Sequence, residues 1–133
     1  MILVTRKEHF NAAHKLENPG WTDEKNQEVF GKCANKNWHG HNYQLFITVK
    51  GNPDPETGYV TDLKKLSTII RAHVIEKLDH KNLNLDVDFM QGVLASTENL
   101  AIAIWEQLEP HINGLYSVRL YETENNFVEY FGK

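Results

Sequence analysis

The chain is short of cysteine, of long apolar runs and of clustered charge, and each shortage excludes a class of protein. Cys33 is its only cysteine, so no internal disulfide can form and nothing asks for an oxidising compartment. No window approaches the roughly 18 consecutive apolar residues of a membrane-spanning helix. The opening Met-Ile-Leu-Val-Thr-Arg-Lys lacks the small-residue cleavage site of a secretory signal, so the expected location is the cytoplasm. Fourteen basic residues stand against eighteen acidic ones with no basic run, which argues against nucleic acid as a partner. A small anion is compatible with this balance, because Lys15, Lys32 and Lys36 lie near the most reactive stretch of the chain. Repeats and low-complexity segments are absent. With 41% apolar and 24% charged residues over 133 positions, the expectation is one globular domain spanning 1–133.

What the sequence does contain is concentrated between Gly31 and Tyr43, where Cys33, His39 and His41 fall within nine positions. The segment after His41, Tyr43 to Val49, is rich in β-branched and aromatic residues, so the histidines read as the entry to a strand. Residues two apart on a strand share a face, so both imidazoles can serve one cation, and Gly40 leaves the space between them open. A zinc ion used for chemistry keeps three protein ligands and one open position, and His14, closing the run Phe10-Asn11-Ala12-Ala13-His14, is the best third ligand. A chance His-x-His pair on a solvated strand is the bland alternative; the third histidine and the nearby thiol weigh against it.

In chain order, residues 2–14 read as a long strand and 17–32 as a long loop with Trp21 and Phe30 as its bulky members. A second strand runs from about His41 to Lys50 and stops at Gly51-Asn52-Pro53-Asp54-Pro55. Asp62 caps a helix expected over Leu63–Lys77, whose end carries Asp79 and His80; a histidine there complements the helix dipole even without a further role. Ser96 or Thr97 caps a second helix that has Glu98 in its first turn and ends near Pro110. Ser117–Tyr130 alternates as a hairpin around Glu124-Asn125-Asn126, and Glu122 shares the parity of Val118 and Leu120. An inward carboxylate is either satisfied by a specific donor, a binding group, or a strand end that reaches water. The expected fold class is α+β: a four-stranded antiparallel sheet with two helices packed on one face, leaving open edges that other subunits could cover.

These pieces together resemble the 6-pyruvoyl-tetrahydropterin synthase family over nearly the whole chain. The likeness rests on Phe10–His14, on Gly31-Lys32-Cys33 with His39–Tyr43, on Leu78-Asp79-His80-Lys81-Asn82-Leu83, on Ser96–Asn99, and on Tyr121-Glu122-Thr123 with Asn125-Asn126. The resemblance implies the T-fold, a homohexamer of two stacked trimers whose sheets join into a barrel, and active sites between subunits. It implies zinc held by His14, His39 and His41, Cys33 as the proton acceptor, and Asp79 with His80 as its relay. Glu122 is implied to hold the pterin ring, with Thr97 and Glu98 lining the same site. The implied reaction converts 7,8-dihydroneopterin triphosphate to 6-pyruvoyl-tetrahydropterin and releases triphosphate, a step of tetrahydrobiopterin-type biosynthesis.

Two rival functions remain within this reading. A 6-carboxy-tetrahydropterin synthase of queuosine biosynthesis shares the fold, metal triad and relay, but usually has three residues between the cysteine and the first histidine of the pair, where this chain has five. A non-catalytic pterin-binding protein would have no need of Cys33, Asp79 and His80 together.

Overall fold

The computed structural model describes residues 1–133 and is built on one sheet. Strand β1 (Ile2–His14) pairs antiparallel with β2 (His39–Gly51), β2 with β4 (Leu115–Thr123), and β4 with β5 (Asn126–Tyr130). The two-residue strand β3 (Lys81–Asn82) runs parallel to β1, giving the order β3-β1-β2-β4-β5. Alternation decides which face is covered. Phe10 and Ala12 of β1, Tyr43, Leu45, Ile47 and Val49 of β2, and Val118 and Leu120 of β4 are buried on one side. Against them pack Leu66, Ile70, Val74 and Leu78 from one helical rod and Leu100, Ala101, Ile104 and Leu108 from α4 (Thr97–Leu108). The rod consists of α2 (Leu63–Ile70), a π-helical turn over Arg71–Ile75, and α3 (Glu76–Leu78). Asp62 caps its start through the Lys64 and Lys65 amides, and Ser96 caps α4 through Asn99 N–H. No helix is long and apolar enough to cross a membrane.

The α+β class and its helices on one face are as expected, but three details differ. The sheet has five strands, not four, because Lys81–Asn82 joins as an edge. Those two residues have little β propensity; they are held by neighbours, with His80 N–H donating to Asn11 C=O at 2.6 Å and Leu83 N–H to Ala13 C=O at 2.8 Å. The stretch expected to be all loop contains α1 (Asp23–Phe30), capped by the Thr22 hydroxyl, which accepts from Lys25 N–H. Its residues are mostly polar and offer no apolar stripe, so periodicity could not find it. Strand β2 begins at His39 rather than His41, which puts both histidines inside the β1 pairing.

One polar group enters the covered face away from the strand ends. Glu8 on β1 is 8% exposed and accepts hydrogen bonds at Oε1 from Ser67 Oγ (3.0 Å), Arg71 Nε (3.1 Å) and Arg6 Nη2 (3.3 Å). Burial pushes this carboxyl up, but the bonds from Ser67 and Arg71 and the charges of Arg71 and Arg6 outweigh it, leaving it below its usual 4.5. Arg71 opens the π-helical turn, so the contact ties that turn to β1. Glu8→Gln should cost about 1–3 kcal/mol of stability at neutral pH, measured by urea unfolding. A carboxylate depressed on folding contributes fully above its unfolded value and loses that contribution as pH falls through its folded value. The gap between parent and variant should therefore narrow below about pH 4.5, and a gap that is constant with pH would show that the charge of Glu8 is irrelevant.

Candidate active site

The β1–β2 register places His14 directly opposite His39 and Ala12 opposite His41, so the three imidazoles cluster where the covered face runs out. Ring centroids lie 4.5 Å (His14–His39), 5.1 Å (His14–His41) and 4.9 Å (His39–His41) apart. One ring nitrogen of each lies within 4.8 Å of the others. Beneath them Tyr43 stacks on Phe10 at 4.8 Å, forming an apolar floor.

His14 is fully buried, and its Nδ1 lies 2.6 Å from the Ala95 carbonyl, which can only accept. Nδ1 therefore carries the proton and Nε2 keeps a lone pair. Burial holds the His14 pKa below its ordinary value, partly opposed by the Ala95 bond and reinforced by His39; burial and His41 lower that of His39. Both rings are thus biased toward the neutral form that binds metal. Three buried nitrogens, His14 Nε2, His39 Nδ1 and His41 Nε2, have no hydrogen-bond partner. Orphaned nitrogens on three converging rings fit a divalent cation and make poor sense without one.

Glu122 stands at the same end of the sheet. Its Oε2 is 3.8 Å from His14 Nε2, its Oε1 is 3.8 Å from His41 Nε2, and the buried Thr97 hydroxyl donates to Oε2 at 2.6 Å. Its inward parity is therefore accompanied by a specific donor. Glu98 follows Thr97 in the first turn of α4 and is exposed.

Cys33, half-buried, lies in a 3-10 turn (Gly31–Ala34) directly after α1, and its carbonyl accepts from Leu16 N–H at 2.7 Å. Asp79 and His80 lie elsewhere, beside the β3 edge. Asp79 Oδ1 accepts from Asn11 N–H at 2.9 Å, and Oδ2 lies 3.0 Å from His80 Nδ1. The Asn11 amide above all holds the Asp79 carboxyl below its usual range; burial opposes it, and the His80 ring adds to the lowering. The His80 side chain is 77% exposed and borders an open hollow of 510 Å³ with Asn11 and Asn42, which project from the uncovered sheet face. One chain thus brings together His14, His39, His41, Glu122 and Thr97. Within it the Asp79–His80 pair makes no hydrogen bond to the Cys33 thiol. Sequence reasoning overlooked Asn26, a buried carboxamide in α1; its signal, an Asn four residues after the Thr22 cap, is too common to read alone.

The family model for 6-pyruvoyl tetrahydropterin synthase matches residues 3–133. A 6-pyruvoyl tetrahydrobiopterin synthase of Pongo abelii is 44% identical over 132 residues, covering 98% of this chain and 91% of that protein. The solved structure of the Caenorhabditis elegans 6-pyruvoyl tetrahydropterin synthase superposes with a TM-score of 0.94 at 38% identity, covering 99% of this chain and 96% of that one. A 6-carboxy-5,6,7,8-tetrahydropterin synthase of Rickettsia typhi is more distant, 26% identical over 149 residues, 97% of this chain and 99% of that protein. With the fold, the histidine cluster and these likenesses in agreement, the chain belongs to the 6-pyruvoyl tetrahydropterin synthase family.

Proposed function

We propose that the chain is a zinc-dependent lyase that converts 7,8-dihydroneopterin triphosphate to 6-pyruvoyl-tetrahydropterin with release of triphosphate. The observation that carries this reading is the set of three unpaired imidazole nitrogens beside an inward carboxylate, in a chain of this family. His14, His39 and His41 would hold the zinc, which when bound supplies Lewis acidity toward the hydroxyls of the substrate side chain. The Ala95 carbonyl orients the His14 ring for that purpose.

The chain's own groups handle the protons. Cys33 accepts a proton from a side-chain carbon, a task that requires the thiolate. His80, backed by the Asp79 carboxylate, passes protons onward. The reaction needs no external oxidant: the side chain loses triphosphate and two hydrogens, and the pterin ring gains those two. Glu122 is proposed to accept from the 2-amino group and adjacent ring N–H of the pterin, with Thr97 and Glu98 lining the same pocket. A second reading of the carboxylates rests on the Thr97 bond and the two 3.8 Å approaches to histidine, which already engage Glu122. In that reading Glu122 belongs with the metal and the exposed Glu98 accepts the pterin.

The relay is proposed to reach Cys33 across subunits in a homohexamer. The solvent-facing Asp79–His80 pair supports this, as do the open edges β3 and β5 and the uncovered face, where Tyr121 packs on Phe46 and Phe127. A cytoplasmic setting suits a phosphorylated soluble substrate and an unpaired thiol. The five residues between Cys33 and His39 favour the pyruvoyl over the carboxy product, and the product's mass after incubation with 7,8-dihydroneopterin triphosphate tests this directly.

Three outcomes are expected. His14→Ala should leave the protein with far less zinc by elemental analysis, since three ligands leave no spare, and full retention would refute the ligand set. Glu122→Gln puts a donor where the pterin offers donors; a rise in substrate dissociation constant supports Glu122 as the anchor. The same rise in Glu98→Gln, with Glu122→Gln losing zinc instead, supports the second reading. Cys33→Ala should lower kcat by about 10²- to 10⁴-fold with zinc content and substrate dissociation nearly unchanged. Turnover near the parent rate would show that another group is the base.

A further inference from the structure

The segment from Leu16 to Cys33 leaves the sheet after β1 and comes back beside its end at the Cys33 backbone, six residues before β2 begins at His39. Its ends are joined by the Leu16 N–H···O=C Cys33 bond of 2.7 Å, two residues beyond the ligand His14. Inside it one side chain is buried, Asn26, which is 4% exposed. Its Oδ1 accepts from Asn18 N–H at 2.8 Å, and its Nδ2 donates to Asn18 C=O at 3.1 Å and to Thr22 C=O at 3.2 Å. The carboxamide therefore grips the backbone of Asn18 through both its N–H and its C=O and closes the turn that caps α1. Helix α1 transmits that anchor along its length. Trp21 stacks on Phe30 at 5.8 Å, Gly31 turns the chain with φ 56°, and the 3-10 turn with Cys33 follows at once. Gln27 Nε2 steadies the far side by donating to Ala34 C=O at 3.3 Å.

We propose that Asn26 is a positioning residue for the reaction, fixing the Leu16–Cys33 loop so that the Cys33 thiol is held at one distance from the His14 end of β1. The inference rests on the reading of Cys33 as the proton acceptor. Without the clamp, a loop of this length has many shapes of similar energy, and a base displaced by about 1 Å loses much of its rate. Asparagine alone meets the geometry. Aspartate is the same shape and can take the Asn18 N–H, but it turns acceptors toward the two carbonyls.

The experiment compares zinc-loaded Asn26→Asp, Asn26→Ala and Asn26→Ala/Cys33→Ala with parent and Cys33→Ala. Three results are expected of the single Asn26 variants. They keep the parent zinc content and circular dichroism, their kcat falls about 10- to 100-fold, and their dissociation constant for 7,8-dihydroneopterin triphosphate stays within about twofold. Because Cys33 is the only cysteine, its alkylation by iodoacetamide reports on the loop alone, and its rate should shift at least about threefold. In the Cys33→Ala background, Asn26→Ala should cost nothing further. An equal fall in that background, an unaltered alkylation rate, or loss of zinc and fold in both single variants would each overturn the inference. Failure of the underlying reading is distinguishable, because it appears with Asn26 intact, as a Cys33→Ala protein that turns over at the parent rate.

Discussion

The site depends on the register between β1 and β2. His14 faces His39 only because Phe10 faces Tyr43 and Val4 faces Val49 along the same ladder. A slip of one residue would send every buried side chain of one strand to the uncovered face, so the core enforces the pairing that brings the histidines together. The histidine triad thus costs no dedicated scaffold: it is the polar continuation of an apolar stripe, Tyr43, Leu45, Ile47 and Val49 on one strand and Phe10 and Ala12 on the other. Where the helices stop covering that stripe, the side chains change from hydrocarbon to imidazole.

Burial at this junction has opposite consequences for the groups it touches. For His14 it favours the neutral ring, and the Ala95 carbonyl then decides which nitrogen stays bare. For Tyr43 the same burial, with Glu122 nearby, pushes the phenol well above its ordinary range, so it remains neutral and serves as floor rather than base. Glu122 keeps its place by a different means, a short bond from Thr97, whose backbone is fixed by the start of α4. A strand and a helix N-terminus therefore converge on one carboxylate, which explains why Ser96 caps the helix and leaves the Thr97 hydroxyl free to point into the site.

Legibility in the sequence followed how local each signal was. Strand β2 and the parity of His39, His41 and Glu122 could be read because alternation is a property of neighbouring residues, and α4 because Ser96 and its apolar stripe lie within one segment. Strand β3 could not, since Lys81 and Asn82 pair only because β1 is already there, and the π-helical turn at Arg71 has its partner Glu8 far away in sequence. Helix α1 escaped because its burial is that of one carboxamide and not of an apolar face. The family resemblance named Asp79, His80 and Cys33 together, yet no pattern in the residues could show that within one chain Asp79 and His80 are tied to Asn11 whereas Cys33 is tied to Leu16.

That separation divides the site into parts of unequal stiffness. The histidines sit on two paired strands of thirteen residues each, at the end of a continuous ladder, and moving one means breaking pairing that the buried residues beside it hold in register. Cys33 hangs from a loop held by the Leu16 bond, three bonds to Asn26 and an aromatic stack. Asp79 and His80 lie at an edge, where Asn11 N–H holds the Asp79 carboxylate, Asn11 C=O holds the His80 backbone, and nothing in the chain fixes the imidazole beyond Asp79. The proposed metal would then owe its affinity to the strands and to the Ala95 contact on His14, whereas the proposed proton transfer would depend on two weakly tethered groups meeting. Under the proposed assembly, order in the second would come from contacts with other subunits, and an open edge lets association build the proposed relay without disturbing the strands that carry the histidines.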